Sequence, residues 1–215
     1  MKPLKLKICG MREPENMTAV GALQPDYMGF IFYLGSKRFA AHLSIKALEA
    51  LPPNVKKTGV FVNQHLEEVI SLVNQYKLDA VQLHGMEDPA FCATLKQSLP
   101  GTEIIKAFGV GTNFNFEVLD QYVGQVDYFL FDTQTPEHGG SGKLFDWSIL
   151  QHYKLEVPFF LSGGIGPQSV AALKELNYKQ LYAIDVNSKF ELAPGLKDIG
   201  LLTTFKHQLF LSPGN

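Results

Sequence analysis

The chain has 215 residues, 46% hydrophobic and 19% charged, with a formal net charge of −2; it is long enough to bury roughly 70% of its unfolded surface in one core. Near-neutral charge without a basic block argues against a nucleic-acid or membrane-surface protein, and no apolar run approaches the roughly 18 residues of a membrane span. The start, MKPLKLKICG, reaches lysine and glycine too soon for a signal peptide, and two distant cysteines, Cys9 and Cys92, read as free thiols in a reducing compartment, so the expected location is cytoplasmic.

Short apolar runs alternate with polar stretches along the whole chain. The strand candidates in order are LKLKIC, DYMGFIF, KTGVFV, DAVQLH, EIIKAF, DYFLFD, PFFLSG and LYAIDV. DYFLFD and PFFL are apolar on both faces, as parallel strands covered on each side require. The helix candidates that follow them are PENMTAVGAL, LSIKALEAL, LEEVISLVNQY, DPAFCATLKQSL, FEVLDQYV, DWSILQHY, PQSVAALKEL and LLTTFKHQLF. Most carry apolar residues at three- and four-residue spacing. Asn63 reads as a helix cap and Pro167 as a first-turn residue. Eight units without a long polar linker predict an α/β fold, a closed (β/α)8 TIM barrel forming one domain over residues 1–215, in which catalytic groups belong at the carboxyl ends of the strands.

The strand ends can then be weighed in order. Cys9 ends strand 1, where a thiol is either a small packing group or, in an electropositive mouth, a thiolate able to take a proton from carbon. Arg38, after strand 2, is either a solvated loop charge or a two-pronged partner for a substrate carboxylate. Gln82 and His84 fall near the mouth on strand 4 as supporting groups. Asp132 ends strand 6 after four apolar residues, which suits either a loop cap or a carboxylic acid of raised pKa that donates a proton. The following HGGSGK fails as a nucleotide loop, because Glu137 stands where the first glycine should be and Leu144 follows the lysine. A lid is the better reading of that stretch. Gly163 and Gly164, after strand 7, let backbone N–H groups approach a phosphate at the usual barrel position. The histidines are scattered, with no metal-ligand spacing.

Taken together, KICGM, DYMGFIFY, GVFVN, VQLHG, FDT, GGSGKLFDW, SGGI and PGLKD, in this order, resemble the phosphoribosylanthranilate isomerase family of tryptophan biosynthesis. The resemblance implies a cofactor-free, metal-free Amadori rearrangement of N-(5-phosphoribosyl)anthranilate to 1-(2-carboxyphenylamino)-1-deoxyribulose 5-phosphate. It implies Cys9 as general base, Asp132 as general acid, and Arg38 on the substrate carboxylate. Gly163, Gly164, Asp185, Asn187 and Ser188 fall on the family's phosphate-binding positions. Two departures stand out: LGSKR replaces the family's PKSPR around Arg38, and Lys189 replaces a glycine after the AIDVNS stretch. The partner expected is a small phosphorylated substrate, with a monomer and a homodimer both open. The rivals are another phosphosugar barrel isomerase or epimerase, and a non-catalytic phosphate-ligand module.

Overall fold

The computed structural model describes residues 3–40, 43–133 and 147–210. Eight parallel strands close into a barrel in sequence order: β1 (Lys5–Ile8), β2 (Tyr27–Ile31), β3 (Lys56–Phe61), β4 (Ala80–Leu83), β5 (Glu103–Val110), β6 (Tyr128–Thr133), β7 (Phe159–Ser162) and β8 (Leu181–Val186). β8 pairs back onto β1, with Lys7 opposite Asp185. Helices α1 (Pro14–Ala22), α2 (Ile45–Glu49), α3 (Leu66–Tyr76), α4 (Pro89–Ser98), α5 (Val170–Glu175) and α6 (Ile199–Phe210) lie between and after the strands. The expected barrel is present, and no described helix is long and apolar enough to cross a membrane.

The fifth and sixth connections differ from expectation. Phe116–Tyr122 and Trp147–His152 are 3₁₀ helices rather than α-helices. Their apolar residues explain the tighter coil. Phe116, Leu119 and Tyr122 recur every third residue, as do Trp147, Leu150 and Tyr153, and a three-residue period keeps one face inward only at 3.0 residues per turn. The Tyr153 ring then packs edge-on against Phe131 at 5.2 Å and Phe159 at 5.5 Å.

Asn63 is not a helix cap. His65 precedes α3, while Asn63 takes a left-handed φ of 52° and accepts from Met86 N at 2.6 Å, tying the loop after β3 to the loop after β4. Pro167 does open a 3₁₀ turn leading into α5.

Two apolar layers follow from strand alternation. Leu6, Ile8, Phe131, Phe159 and Ile184 join the large core between strands and helices. Tyr27, Ala80, Ile105, Leu130, Phe160 and Ala183 form a separate cluster inside the barrel. Side chains alternate faces along a strand, so residues two or four further along point inward as well, at the carboxyl mouth. These are Ile31, Gln82, His84, Asp132, Ser162, Asp185 and Asn187, and all of them line one cavity.

A short antiparallel hairpin, β9 (Glu191–Ala193) and β10 (Leu196–Lys197), follows β8. Buried Asn16 of α1 clamps the Lys197 backbone, donating to its carbonyl at 3.0 Å and accepting from its N–H at 2.8 Å. The hairpin is thereby fixed beside the mouth.

Candidate active site

Cys9 extends the β1 ladder, donating its backbone N–H to Val186 O at 2.9 Å. Its side chain is 4% exposed, yet it lines the cavity. Gly29 on β2 makes the room: a Cβ there would lie 2.7 Å from the Cys9 Sγ. Gly10 has a φ of 78°, and a Cβ on it would lie 2.7 Å from both the Arg38 side chain and Asn187 Oδ1. A side chain at either glycine would disturb the thiol or its neighbours.

Burial raises the Cys9 pKa above the ordinary thiol value, against the opposing pull of Lys7 and Lys197. In the free site Cys9 is therefore a thiol with two ammonium groups near it. Because the thiolate is the alkylating form, the rate at which a small haloacetamide modifies Cys9 should climb with pH by about tenfold per unit from neutrality to beyond about pH 9. Peptide mapping of the labelled thiol checks this, and levelling near pH 7 would contradict it. Cys92, fully buried in α4, has its pKa pushed up to about 12 chiefly by burial, so it should label far more slowly.

Asp132 faces the same cavity from β6, in register with Ser162 of β7. Its side chain is 32% exposed, so it stands at the mouth rather than in the apolar wall that precedes it in sequence. His84 Nε2 lies 3.4 Å from Asp132 Oδ2. Below them the barrel holds an ion pair that the sequence reading missed. Lys7, fully buried, donates to Gln82 Oε1 at 2.8 Å and to Asp185 Oδ1 at 3.0 Å. The Lys7 ammonium is kept charged: burial works against it, but the facing Asp185 carboxylate outweighs the penalty.

Asp185 was placed among the phosphate ligands by the sequence pattern. Its carboxylate instead meets Lys7, and Ser162 Oγ donates to its other oxygen at 3.3 Å. A carboxylate so committed is the counter-ion of the barrel interior, and its own charge would repel a phosphate.

Arg38 was expected to offer its fork to a substrate. In the structure that fork is engaged: Nε donates to Glu191 Oε1 at 2.9 Å and Nη2 to Oε2 at 2.6 Å. Lys197, also fully buried, donates to Glu191 Oε1 at 2.6 Å and to Asn187 Oδ1 at 2.7 Å. One carboxylate thus sits between two cations, and Nη1 of Arg38 lies outside the pair. Burial pushes the Glu191 carboxyl up, but hydrogen bonds from Arg38 and Lys197 win and hold its pKa at about 2.

A depressed carboxyl pKa contributes stability above the unfolded value, about 4.3, and loses it as pH falls through the folded value. The urea midpoint should accordingly drop between about pH 4.5 and 2, with a shallower acid slope in Glu191→Gln. Equal slopes in the two proteins would show that Glu191 is not held down.

The β7 side of the cavity is formed by backbone. Gly163 and Gly164 have φ of 93° and 64°, left-handed values that glycine reaches without strain. At Gly164 an added Cβ would meet nothing within 4 Å, so conformation rather than space demands glycine there. Asn187 and Ser188 complete this side of the cavity. Lys197 can only donate, so Asn187 must turn Oδ1 toward it, leaving its NH₂ to face elsewhere. Lys189, the departure from the family pattern, is exposed. The HGGSGK stretch read as a lid lies outside the described residues. Among the described residues, no group of three His, Cys, Asp or Glu side chains is placed to hold a metal ion.

The chain and its barrel have counterparts among known proteins. Residues 6–208 match the family model described as N-(5'phosphoribosyl)anthranilate (PRA) isomerase. A Parabacteroides distasonis protein named N-(5'-phosphoribosyl)anthranilate isomerase is 48% identical, with 95% of this chain and 92% of that protein covered. The crystal structure of phosphoribosyl anthranilate isomerase from Thermus thermophilus aligns with a TM-score of 0.80 at 29% identity, covering 96% of this chain and 98% of that one. A phosphoribosyl anthranilate isomerase solved with reduced 1-(o-carboxyphenylamino)-1-deoxyribulose 5-phosphate aligns with a TM-score of 0.74 at 30% identity, covering 96% and 98%.

Proposed function

The chain belongs to the N-(5'-phosphoribosyl)anthranilate isomerase family, and from that premise we propose that Cys9 is the base and Asp132 the acid of its reaction. The enzyme isomerises phosphoribosylanthranilate in tryptophan biosynthesis. The observation that supports the residue assignment is positional. Cys9 and Asp132 close β1 and β6, strands with two others between them in the ring, and both line one cavity whose β7 and β8 side is a glycine turn with an amide.

Asp132 gives its proton to the ribose ring oxygen. The bond from that oxygen to C1 breaks, and the anthranilate nitrogen lone pair forms the C1 iminium. The Cys9 thiol gives up its own proton to water, and the thiolate so formed takes the proton from C2. The C2–H electrons become the C1–C2 double bond, and the iminium electrons return to nitrogen. The enol O–H proton passes to the Asp132 carboxylate as its electrons form the C2 carbonyl, and the C1–C2 double-bond electrons take the proton from the Cys9 thiol at C1, which leaves the 2-ketone and restores acid and thiolate.

The iminium acidifies C2–H, so a modest base suffices. It also brings positive charge beside a thiol that burial otherwise keeps protonated. Lys7 and Lys197 add to that charge. Backbone N–H groups at Gly163 and Gly164, with Asn187 and Ser188, hold the phosphate. Arg38 receives the anthranilate carboxylate on the edge that Glu191 leaves open.

The purified protein, given freshly formed phosphoribosylanthranilate without added metal or cofactor, should consume the anthranilate fluorescence with turnover. Tight binding with no turnover would favour a ligand-binding module instead. Arg38→Ala should raise KM by about tenfold or more with a smaller change in kcat, the pattern of a lost binding contact. A fall in kcat at unchanged KM would remove Arg38 from the clamp.

A further inference from the structure

Gln82 and His84 share the inward face of the β4 end, and together with Lys7 they make a chain whose proton positions are fixed by chemistry. Lys7 Nζ has donors and no acceptor, so the atom of Gln82 that it meets at 2.8 Å must be the carbonyl oxygen. The Gln82 NH₂ is then turned toward His84 Nδ1, 2.8 Å away. An NH₂ group only donates, so Nδ1 accepts, and the ring proton of neutral His84 resides on Nε2. That nitrogen faces Asp132 Oδ2 at 3.4 Å, a gap of the kind that closes when substrate binds.

We propose that Lys7 and Gln82 are positioning residues for the acid half of the reaction: they lock His84 in the Nε2–H tautomer, and His84 thereby decides which Asp132 oxygen carries the acid proton. With Oδ2 taken up as the acceptor of His84 Nε2–H, the proton sits on Oδ1 and is presented to the ring oxygen. Asp185 belongs to the same device. It stands opposite Lys7 across the β1–β8 ladder and keeps the ammonium oriented and charged in a fully buried position. The device rests on the assignment of Asp132 as the acid, but the tautomer is readable without substrate and stands or falls separately from turnover.

Nitrogen-15 NMR of histidine-labelled protein reads the tautomer directly, with the His84 signals identified by their loss in His84→Asn. The wild-type protein should show His84 protonated on Nε2 alone. In Gln82→Glu both carboxylate oxygens accept, so the proton should move to Nδ1, and kcat should fall by about 10- to 100-fold with KM within about twofold, the scale of a misplaced catalytic group. The double variant Lys7→Met/Asp185→Leu removes both buried charges together. It frees the Gln82 amide to rotate, so it should give a mixture of tautomers. Nδ1–H in the wild-type protein would overturn the proposal, and that arm needs no variant to fold. A moved tautomer with unchanged kcat would overturn its catalytic half, and a single retained tautomer in the double variant would remove Lys7 from it.

Discussion

Asp132→Asn should lower kcat by about 100-fold or more while the protein still binds its substrate, the usual scale for losing general acid catalysis. The substitution keeps the shape of the side chain and deletes the acidic proton. Asparagine can still lie beside His84, so the 3.4 Å approach and the register with Ser162 have no steric reason to change. What disappears is protonation of the ring oxygen, and with it assisted opening of the sugar. Steady-state kinetics followed by anthranilate fluorescence provide the measurement. Near-normal turnover would take Asp132 out of the mechanism and turn attention to His84 as the donor.

Cys9→Ala should be at least as damaging, with kcat down by about 10²- to 10⁴-fold. Alanine removes the only atom of this side chain that can accept the C2 proton. It leaves the neighbouring cations, Lys7 and Lys197, without the group they help to ionise. Fold loss is a small concern, because the thiol occupies a pocket next to Gly29 and trimming one buried sulfur resembles a modest large-to-small change. Circular dichroism and the thermal midpoint of the variant separate the two effects. A variant that is folded, binds substrate and retains most of its turnover would make Cys9 a packing residue after all.

How much of this was legible follows from what local sequence encodes. The strands were readable because a covered parallel strand has to be apolar on both faces, and PFFL can do little else. The mouth was readable because strand ends carry the chemistry in a barrel, which placed Cys9, Gln82, His84, Asp132, Gly163, Gly164, Asn187 and Ser188 around one cavity. The 3₁₀ connections were misread as α-helices because a strict three-residue repeat over only two turns was not told apart from the mixed three- and four-residue spacing of an amphipathic helix.

The buried ions were invisible for a different reason. Alternation alone does not say which face of its strand carries Lys7, but it is two residues before Cys9 and so shares its inward face. Its partner Asp185 is 178 positions away. Likewise nothing local singles out Glu191 and Lys197, because only the hairpin clamped by Asn16 brings them together and sets Glu191 against Arg38. Single-sequence reasoning sees alternation, but it does not see which face of a closing sheet becomes the inside. In a barrel the polar face of a strand can be the interior one, and here that interior holds the charge.

The two variants should also fail at different steps, and that difference tests the division of labour between thiol and carboxyl most directly. Each is mixed with phosphoribosylanthranilate, quenched with borodeuteride during a single turnover, and assayed for the open-chain amine that carries one deuterium at C1. With Cys9→Ala, ring opening proceeds and the iminium waits for a base, so the trapped amine should exceed the enzyme-free control. With Asp132→Asn the ring stays closed, and trapping should match the control. Equal trapping by the two variants, or more from Asp132→Asn than from Cys9→Ala, would contradict the assignment of acid and base made here.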